Sequence, residues 1–510
     1  MFKLTEEQLA IKSHFRTMME SFDRQNRKMV INAGAGTGKT SILVILAEVA
    51  KELGKKGRFM AYNKAIVEAA AAKMPSNVAC GTFHAYFFGT TGRFYQHRSD
   101  RVSAKFTAEY LGITKDLELT EKKLTPVMQA RIIYRAIKKF SLSDDMEISR
   151  YHIPYTRGTT PNDMEIIRDG IAPYLRKAWQ DVADLHGQLR FTPENYIKIG
   201  VLKSPKIAAS FVFIDEAQDT FPVILGWLKR QPHIRLVVVG DRAQAINEHM
   251  GAIDAMDKFE SIDRETGLSK NDVTYMVLSK SFRFGPELAD EANRWLWLHN
   301  EGEFMLTGND VKPTVVTDID DGEVYDAIIC RTNAGVFTAA MECVLKGIKV
   351  SMSKRNMEEL KAIATGAMQL MSGVSCDYEP FAVFEYWAEV LDAVANDPGF
   401  EDLKTMVNII EKYGVDEILS LSDKLVPAKM AQTQIITAHT SKGLEFNRVM
   451  IWNDYFEPEP DADGNPGEMA KGEIMLSYVA ITRAMELVYR GSLAMIDDYV
   501  NYDEEEDEEE

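Results

Sequence analysis

The sequence predicts an α/β chain with two parallel-sheet units, each interrupted by a mainly helical segment. Three observations predict it. Short, near-continuous apolar runs recur along the chain and end in glycine or polar residues, as strands buried on both faces do. Helical patterns such as residues 41–53 and 65–73 lie between these runs, the alternation expected of a parallel sheet covered by helices. The strand signals also fall into two groups, before about residue 245 and after about residue 273.

In chain order, the first group comprises residues 28–33, 58–62, 211–215 and 236–241. The second comprises 326–330, 434–439 and 448–452. Residues 88–202 are helical in character and rich in Lys, Arg and aromatics, as in Arg131-Ile-Ile-Tyr-Arg135-Ala-Ile-Lys-Lys139. Residues 353–430 carry Met, Leu and aromatic positions at helix spacing, which reads as core-facing stripes. The expected layout is a first α/β domain over 1–87 and 203–276, with 88–202 inserted in it. A second domain spans 277–352 and 431–500, with the shorter insertion 353–430. The acidic end, 501–510, can bury nothing and is expected to be disordered.

At 510 residues the chain exceeds what one hydrophobic core supports. No apolar run approaches the roughly 18–20 residues that span a bilayer, and residues 1–10 show no charged-then-apolar leader, so no membrane role is expected. Cys80, Cys330, Cys343 and Cys376 lack metal-ligand spacing and read as reduced thiols of a cytosolic protein, nuclear if the source is eukaryotic. The net charge is −18, but Asp503–Glu510 are all acidic, so the body of the chain is far less negative. A phosphate-backbone partner needs only a local basic groove, so composition leaves that partner open.

The strongest local signal is Ala33-Gly-Ala-Gly-Thr-Gly-Lys-Thr40, placed after a strand and opening a helix. Here Gly34, Gly36 and Gly38, with Ala35 and Thr37, let backbone amides curl around phosphate oxygens. Lys39 would neutralise the outer phosphates and Thr40 would bind Mg²⁺. Ala33 stands where such loops usually begin with glycine. Downstream, Phe211-Val-Phe-Ile-Asp-Glu-Ala-Gln-Asp219 delivers two carboxylates at a strand's C-terminal end, where ligands bind in α/β sheets. Asp215 would hold Mg²⁺, and Glu216 would orient or deprotonate the attacking water. Together the two motifs define an NTPase. Gln244, one strand along, is placed to sense the γ-phosphate, while Arg283 and Arg483 of the second domain are candidates to stabilise transition-state charge.

Further motifs carry a resemblance. Thr5-Glu-Glu-Gln8, residues 33–40, Ala61-Tyr-Asn-Lys64, Gly81-Thr-Phe-His84, Asp215–Asp219 and Gly240-Asp-Arg-Ala-Gln244 succeed one another. They continue with Ser281-Phe-Arg-Phe-Gly285, Cys330-Arg-Thr-Asn-Ala334, residues 437–446 and residues 478–484. This order resembles the UvrD/Rep branch of superfamily 1 DNA helicases, with wording especially similar to the F-box DNA helicase group. The resemblance implies two RecA-like P-loop domains. It puts Gln8 and Phe282 at the adenine. Lys39, Thr40, Asp215, Glu216, Gln244, Arg283, Glu445 and Arg483 fall around the phosphates and ribose. DNA contacts would come from Tyr62, Asn63, Thr82, His84, Arg331, Asn333 and His439.

Three departures stand out. Ser41 replaces an arginine that UvrD and Rep commonly set against the adenine. His249 replaces a tryptophan, removing a stacking platform worth roughly 1–3 kcal/mol per base, which His249 could restore only in part. The second insertion is much shorter than in UvrD or Rep. The resemblance implies a Mg²⁺- and ATP-dependent DNA helicase that moves 3′→5′ on single-stranded DNA and engages single-strand/duplex junctions. The acidic tail would serve as a solubilising end, as a competitor for the motor's basic groove or as a dock for a basic protein. Rival readings are a translocase that strips proteins without unwinding and an ATP-gated switch without directional motion. A fused nuclease is not expected, because the chain ends soon after Ala484.

Overall fold

The computed structural model describes residues 3–21, 27–98, 101–120, 123–156, 159–246, 256, 273–300, 302–376, 378, 381, 384–396, 401–460 and 466–499. The chain divides into two units, residues 1–33 with 38–278 and residues 34–37 with 279–510.

The first unit is built on six strands, β1 (Lys28–Ala33), β2 (Gly57–Ala61), β3 (Val78–Thr82), β6 (Phe211–Ile214), β7 (Arg235–Gly240) and β8 (Val273–Leu278). Between β3 and β6 in the chain lies a two-stranded hairpin, β4 (Leu117–Glu118) and β5 (Lys123–Leu124). The six form one sheet in the order β3-β2-β6-β7-β1-β8, and all neighbours run parallel. Side chains alternate across it as the pleat demands. Met29 and Ile31 of β1 join Phe211, Phe213 and Val237 in one core, with Phe15 and Leu43 from helices Glu6–Glu20 and Lys39–Glu52. Val30, Val212, Ile214 and Val238 face a second core with Phe87 and Trp227. Both faces are buried, so these strands read as unbroken apolar runs. Truncating the buried Phe213 ring would cost about 3–5 kcal/mol.

The helical segment between β3 and β6 has its own core, including Ile133, Ile137, Ile167, Ile171 and Leu175. Three of its helices, Pro126–Leu142, Pro161–Ala183 and Pro193–Leu202, start with proline directly after Thr125, Thr160 and Thr192. A threonine cap followed by a residue without an N–H suits a helix start, where the first amides have no intrahelical partner.

The second unit contributes β9 (Val315–Thr317), β10 (Ala327–Cys330), β11 (Val350–Ser351), β12 (Thr433–Thr437), β13 (Phe446–Ile451) and β14 (Ala484–Tyr489). Its sheet is ordered β11-β12-β10-β13-β14-β9, again parallel throughout. Helices between β11 and β12 are not a separate body. Leu360, Ile363, Ile410 and Ile418 share one core with Val336 and Phe337 of helix Asn333–Leu345. Mixed α/β elements with parallel sheets therefore stand as the sequence predicts. Val273–Leu278 forms the edge of the first sheet, beside β1. Among the described residues no helix is long and apolar enough to cross a membrane. Cys330, Cys343 and Cys376 are buried free thiols.

Candidate active site

The loop after β1 turns through two left-handed glycines, Gly36 (φ 74°) and Gly38 (φ 86°), which side chains would strain. Gly38 is the N-cap of helix Lys39–Glu52 and supplies no side-chain cap to its first amides. The Thr37 hydroxyl donates to the Gly34 carbonyl at 2.9 Å, and the Lys39 ammonium to the Ala33 carbonyl at 3.1 Å. Ser41, on the helix's first turn, is exposed.

From this loop a polar network runs across the C-terminal ends of β6 and β7. The Thr40 hydroxyl donates to Asp215 Oδ2 at 2.8 Å. Burial, with Glu216 beside it, pushes the Asp215 carboxyl up to about 6, against the pull of the Thr40 bond and Lys39. Its Oδ1 accepts the Glu216 amide at 3.0 Å. Glu216 is a non-glycine residue at φ 53°. Such a conformation costs on the order of 1–3 kcal/mol and persists only where neighbours fix it. One such neighbour is Gln218, whose amide nitrogen donates to the Glu216 carboxylate. The oxygen of the same Gln218 amide accepts the Asp241 backbone N–H at 3.1 Å. In turn Asp241 Oδ2 accepts from Gln244 at 2.6 Å and lies 4.0 Å from the Lys39 ammonium. Thus Lys39, Thr40, Asp215, Glu216 and Gln244 are brought together. Gln218 and Asp241, to which sequence reasoning gives no role, are the joints. Both sit inside recognisable motifs, and their place at strand ends is the signal that could have found them.

Gln8 lies elsewhere in the first unit's described contacts. Its side-chain oxygen accepts the Thr5 amide at 3.2 Å, completing a capping box at the start of helix Glu6–Glu20. That bond is a structural task, and base reading by Gln8 rests on the resemblance alone.

In the second unit, Arg283 Nε donates to Glu445 at 3.1 Å and its Nη1 to the Thr482 carbonyl at 2.8 Å. Arg483 is fully buried and donates to the carbonyls of Val479 (2.8 Å) and Leu444 (3.3 Å). Arg283, Glu445 and Arg483 therefore cluster, and the adjoining residue Phe282 is 41% exposed.

The residues expected to touch nucleic acid also sit at strand ends. Tyr62, after β2, packs its ring on Phe83 and Phe221, and its hydroxyl accepts the Phe221 amide at 3.2 Å. Burial pushes its phenol well above the ordinary range. Asn63 and Thr82 cap the helices that follow β2 and β3. His84 Nδ1 lies 3.2 Å from the Tyr196 hydroxyl, and burial lowers its pKa, partly opposed by Glu194. In the second unit Arg331 follows β10, its guanidinium paired with Glu473. Asn333 opens the next helix on an exposed turn, and His439 lies in the short helix after β12. His249 and residues 503–510 lie outside the described residues.

A family model described as an AAA domain matches residues 19–249, and one described as a UvrD-like helicase C-terminal domain matches residues 339–490. Over these two segments the chain is similar to the UvrD-like superfamily 1 helicases. The F-box DNA helicase 1 of Gallus gallus is 26% identical over 94% of this chain and 48% of its own length. The F-box DNA helicase protein 1 of Schizosaccharomyces pombe is 26% identical over 89% of this chain and 54% of its own length. This UvrD-like chain spans about half the length of these curated relatives.

Proposed function

We propose that this UvrD-like chain hydrolyses ATP to move 3′→5′ along single-stranded DNA and to open duplex at a junction. The observation that supports it best is the continuous network from Lys39 and Thr40 through Asp215, Glu216, Gln218 and Asp241 to Gln244. It joins a phosphate-binding loop to two carboxylates and a sensing amide.

The residues present fit Mg²⁺ and ATP. Two left-handed glycines and a side-chain-free cap suit a phosphate cradle, and Asp215, raised by burial beside Glu216, is a carboxylate that a cation would relieve. Bound Mg²⁺ would neutralise phosphate charge and orient the phosphates for attack by water. Thr40 and Asp215 would hold it, one hydroxyl and one carboxylate being typical of a magnesium site completed by phosphates and water. Lys39 steadies the outer phosphates, and Glu216, fixed by Gln218, orients the water and takes its proton. Gln244 reports the γ-phosphate to the β7 turn through Asp241. Arg283 and Arg483 supply positive charge as the phosphoryl group leaves.

The DNA strand is gripped by Tyr62, Asn63, Thr82 and His84 in one unit and by Arg331, Asn333 and His439 in the other, with His249 a further contact. The direction of travel rests on the wording of residues 437–446 and 482–484. Residues 503–510 would dock a basic protein or compete for the DNA groove. Steady-state ATPase assays with and without single-stranded DNA test this reading. Strong stimulation that disappears in Glu216→Gln is expected; turnover indifferent to DNA would overturn it.

A further inference from the structure

Arg331 is held from two sides by carboxylates that come from different parts of the second unit. Asp454, in the segment after β13, accepts the Arg331 amide at 2.8 Å, and the Thr332 amide and hydroxyl at 2.9 and 2.8 Å. This approach depends on Gly335, since a Cβ there would lie 1.9 Å from Asp454 Oδ2. The backbone at the end of β10 is thereby pinned. The side chain is pinned by Glu473, on helix Lys471–Ile481, which accepts Arg331 Nε at 2.7 Å and Nη2 at 2.6 Å. Both partners are only partly exposed, at 28% and 19% of their side chains.

A guanidinium is planar, and a carboxylate that takes its Nε–Nη2 edge leaves the Nη1 edge facing away. Binding by that edge fixes the rotamer of a long side chain before any ligand arrives, so little rotamer freedom is lost on contact with a phosphate. We infer that Glu473 is a positioning residue for nucleic acid: it holds Arg331 so that the free edge of the guanidinium meets a backbone phosphate of the bound strand. The inference rests on the proposed role of Arg331 as a DNA contact.

The test uses the full chain and a single-stranded oligonucleotide, with dissociation constants measured across a salt series for wild type, Arg331→Ala, Glu473→Ala, Glu473→Gln and the Arg331→Ala/Glu473→Ala double variant. Thermal melting of each variant establishes that it is folded. Arg331→Ala is expected to weaken binding about tenfold, the scale of one charge-assisted hydrogen-bonded contact. It should also reduce the magnitude of the salt slope by about 0.7, the value for one single-strand phosphate. Glu473→Ala should reproduce both changes, the double variant should be no weaker than either single one, and Glu473→Gln should fall between. A merely structural ion pair would lower the melting temperature without altering the slope. Tighter binding by Glu473→Ala, or unchanged affinity and slope, overturns the positioning role while leaving Arg331 as a contact. If Arg331→Ala itself binds as wild type does, the reading of Arg331 as a DNA contact fails, and the inference with it.

Discussion

The two sheets share one parallel architecture, yet they hold their charged groups in different ways. At the ends of β6 and β7 the side chains bond one another: Thr40 to Asp215, Gln218 to Glu216, Gln244 to Asp241. Asp215, Gln218, Asp241 and Gln244 are each at most 3% exposed. In the second unit the side chains of Arg283 and Arg331 each pair with one carboxylate nearer the surface, Arg283 with a Glu445 side chain that is 56% exposed, and Arg331 with Glu473. Removing one member of a buried network strands its partners without a hydrogen bond, a cost of about 1–3 kcal/mol per group. Removing one member of an exposed pair costs little, because water takes its place. The first arrangement is suited to fixed geometry at a bond being broken. The second is suited to presenting a held cation to a ligand at the surface.

The strongest challenge to this contrast lies in the buried network. Lys39→Ala is expected to abolish ATP turnover, and Glu216→Gln to lower it by about 10⁴-fold, the upper range for a positioned general base, with nucleotide binding retained. Near-normal turnover by Glu216→Gln would remove that carboxylate from the chemistry. Next in size, Arg283→Ala should lower kcat by about 10³-fold, with lysine a poor substitute because it lacks the planar fork. Full rescue by Arg283→Lys would point to simple charge.

The contrast itself is sharpened by additivity. Gln218→Ala and Gln244→Ala should each lower kcat about tenfold while KM stays close to wild type, and the double variant should lose much less than the product. Fully multiplicative losses would mean that the two amides act independently and that the network is a set of separate bonds. The smallest effect concerns His84. Burial lowers its pKa, so the folded chain keeps the ring neutral while the unfolded chain takes up a proton first, near the ordinary 6.5. Its stability contribution is therefore full above that value and is lost as pH falls below it. Melting temperature between about pH 7 and pH 5.5 should drop less steeply in His84→Asn than in wild type; parallel curves would show that the ring's burial is energetically idle.

The parts of the fold legible in the sequence are those whose signal is local. β1, β6 and β7 are apolar on both faces and stand out as runs, and the glycine-rich loop announces itself by spacing. β3 does not, because only Val78 of its five residues is buried. β8 is assignable to either unit from its residues alone, since its neighbour β1 lies more than 200 positions earlier in the chain. The same reason hides the joints of the site. Gln218 meets the Asp241 amide across 23 positions, and Arg331 meets Glu473 across 142. Motif wording supplies the chemical groups; which carboxylate or amide holds each of them is settled only by folding.

Directional, ATP-driven strand separation is tested by displacement on duplexes that carry either a 3′ or a 5′ single-stranded tail, run with Mg²⁺ and ATP. ATP-dependent unwinding of the 3′-tailed substrate is expected, with little unwinding of the 5′-tailed one and none of either by Glu216→Gln. Unwinding confined to the 5′-tailed duplex, or unwinding undiminished in Glu216→Gln, would contradict a 3′→5′ motor powered at the Asp215–Glu216 site.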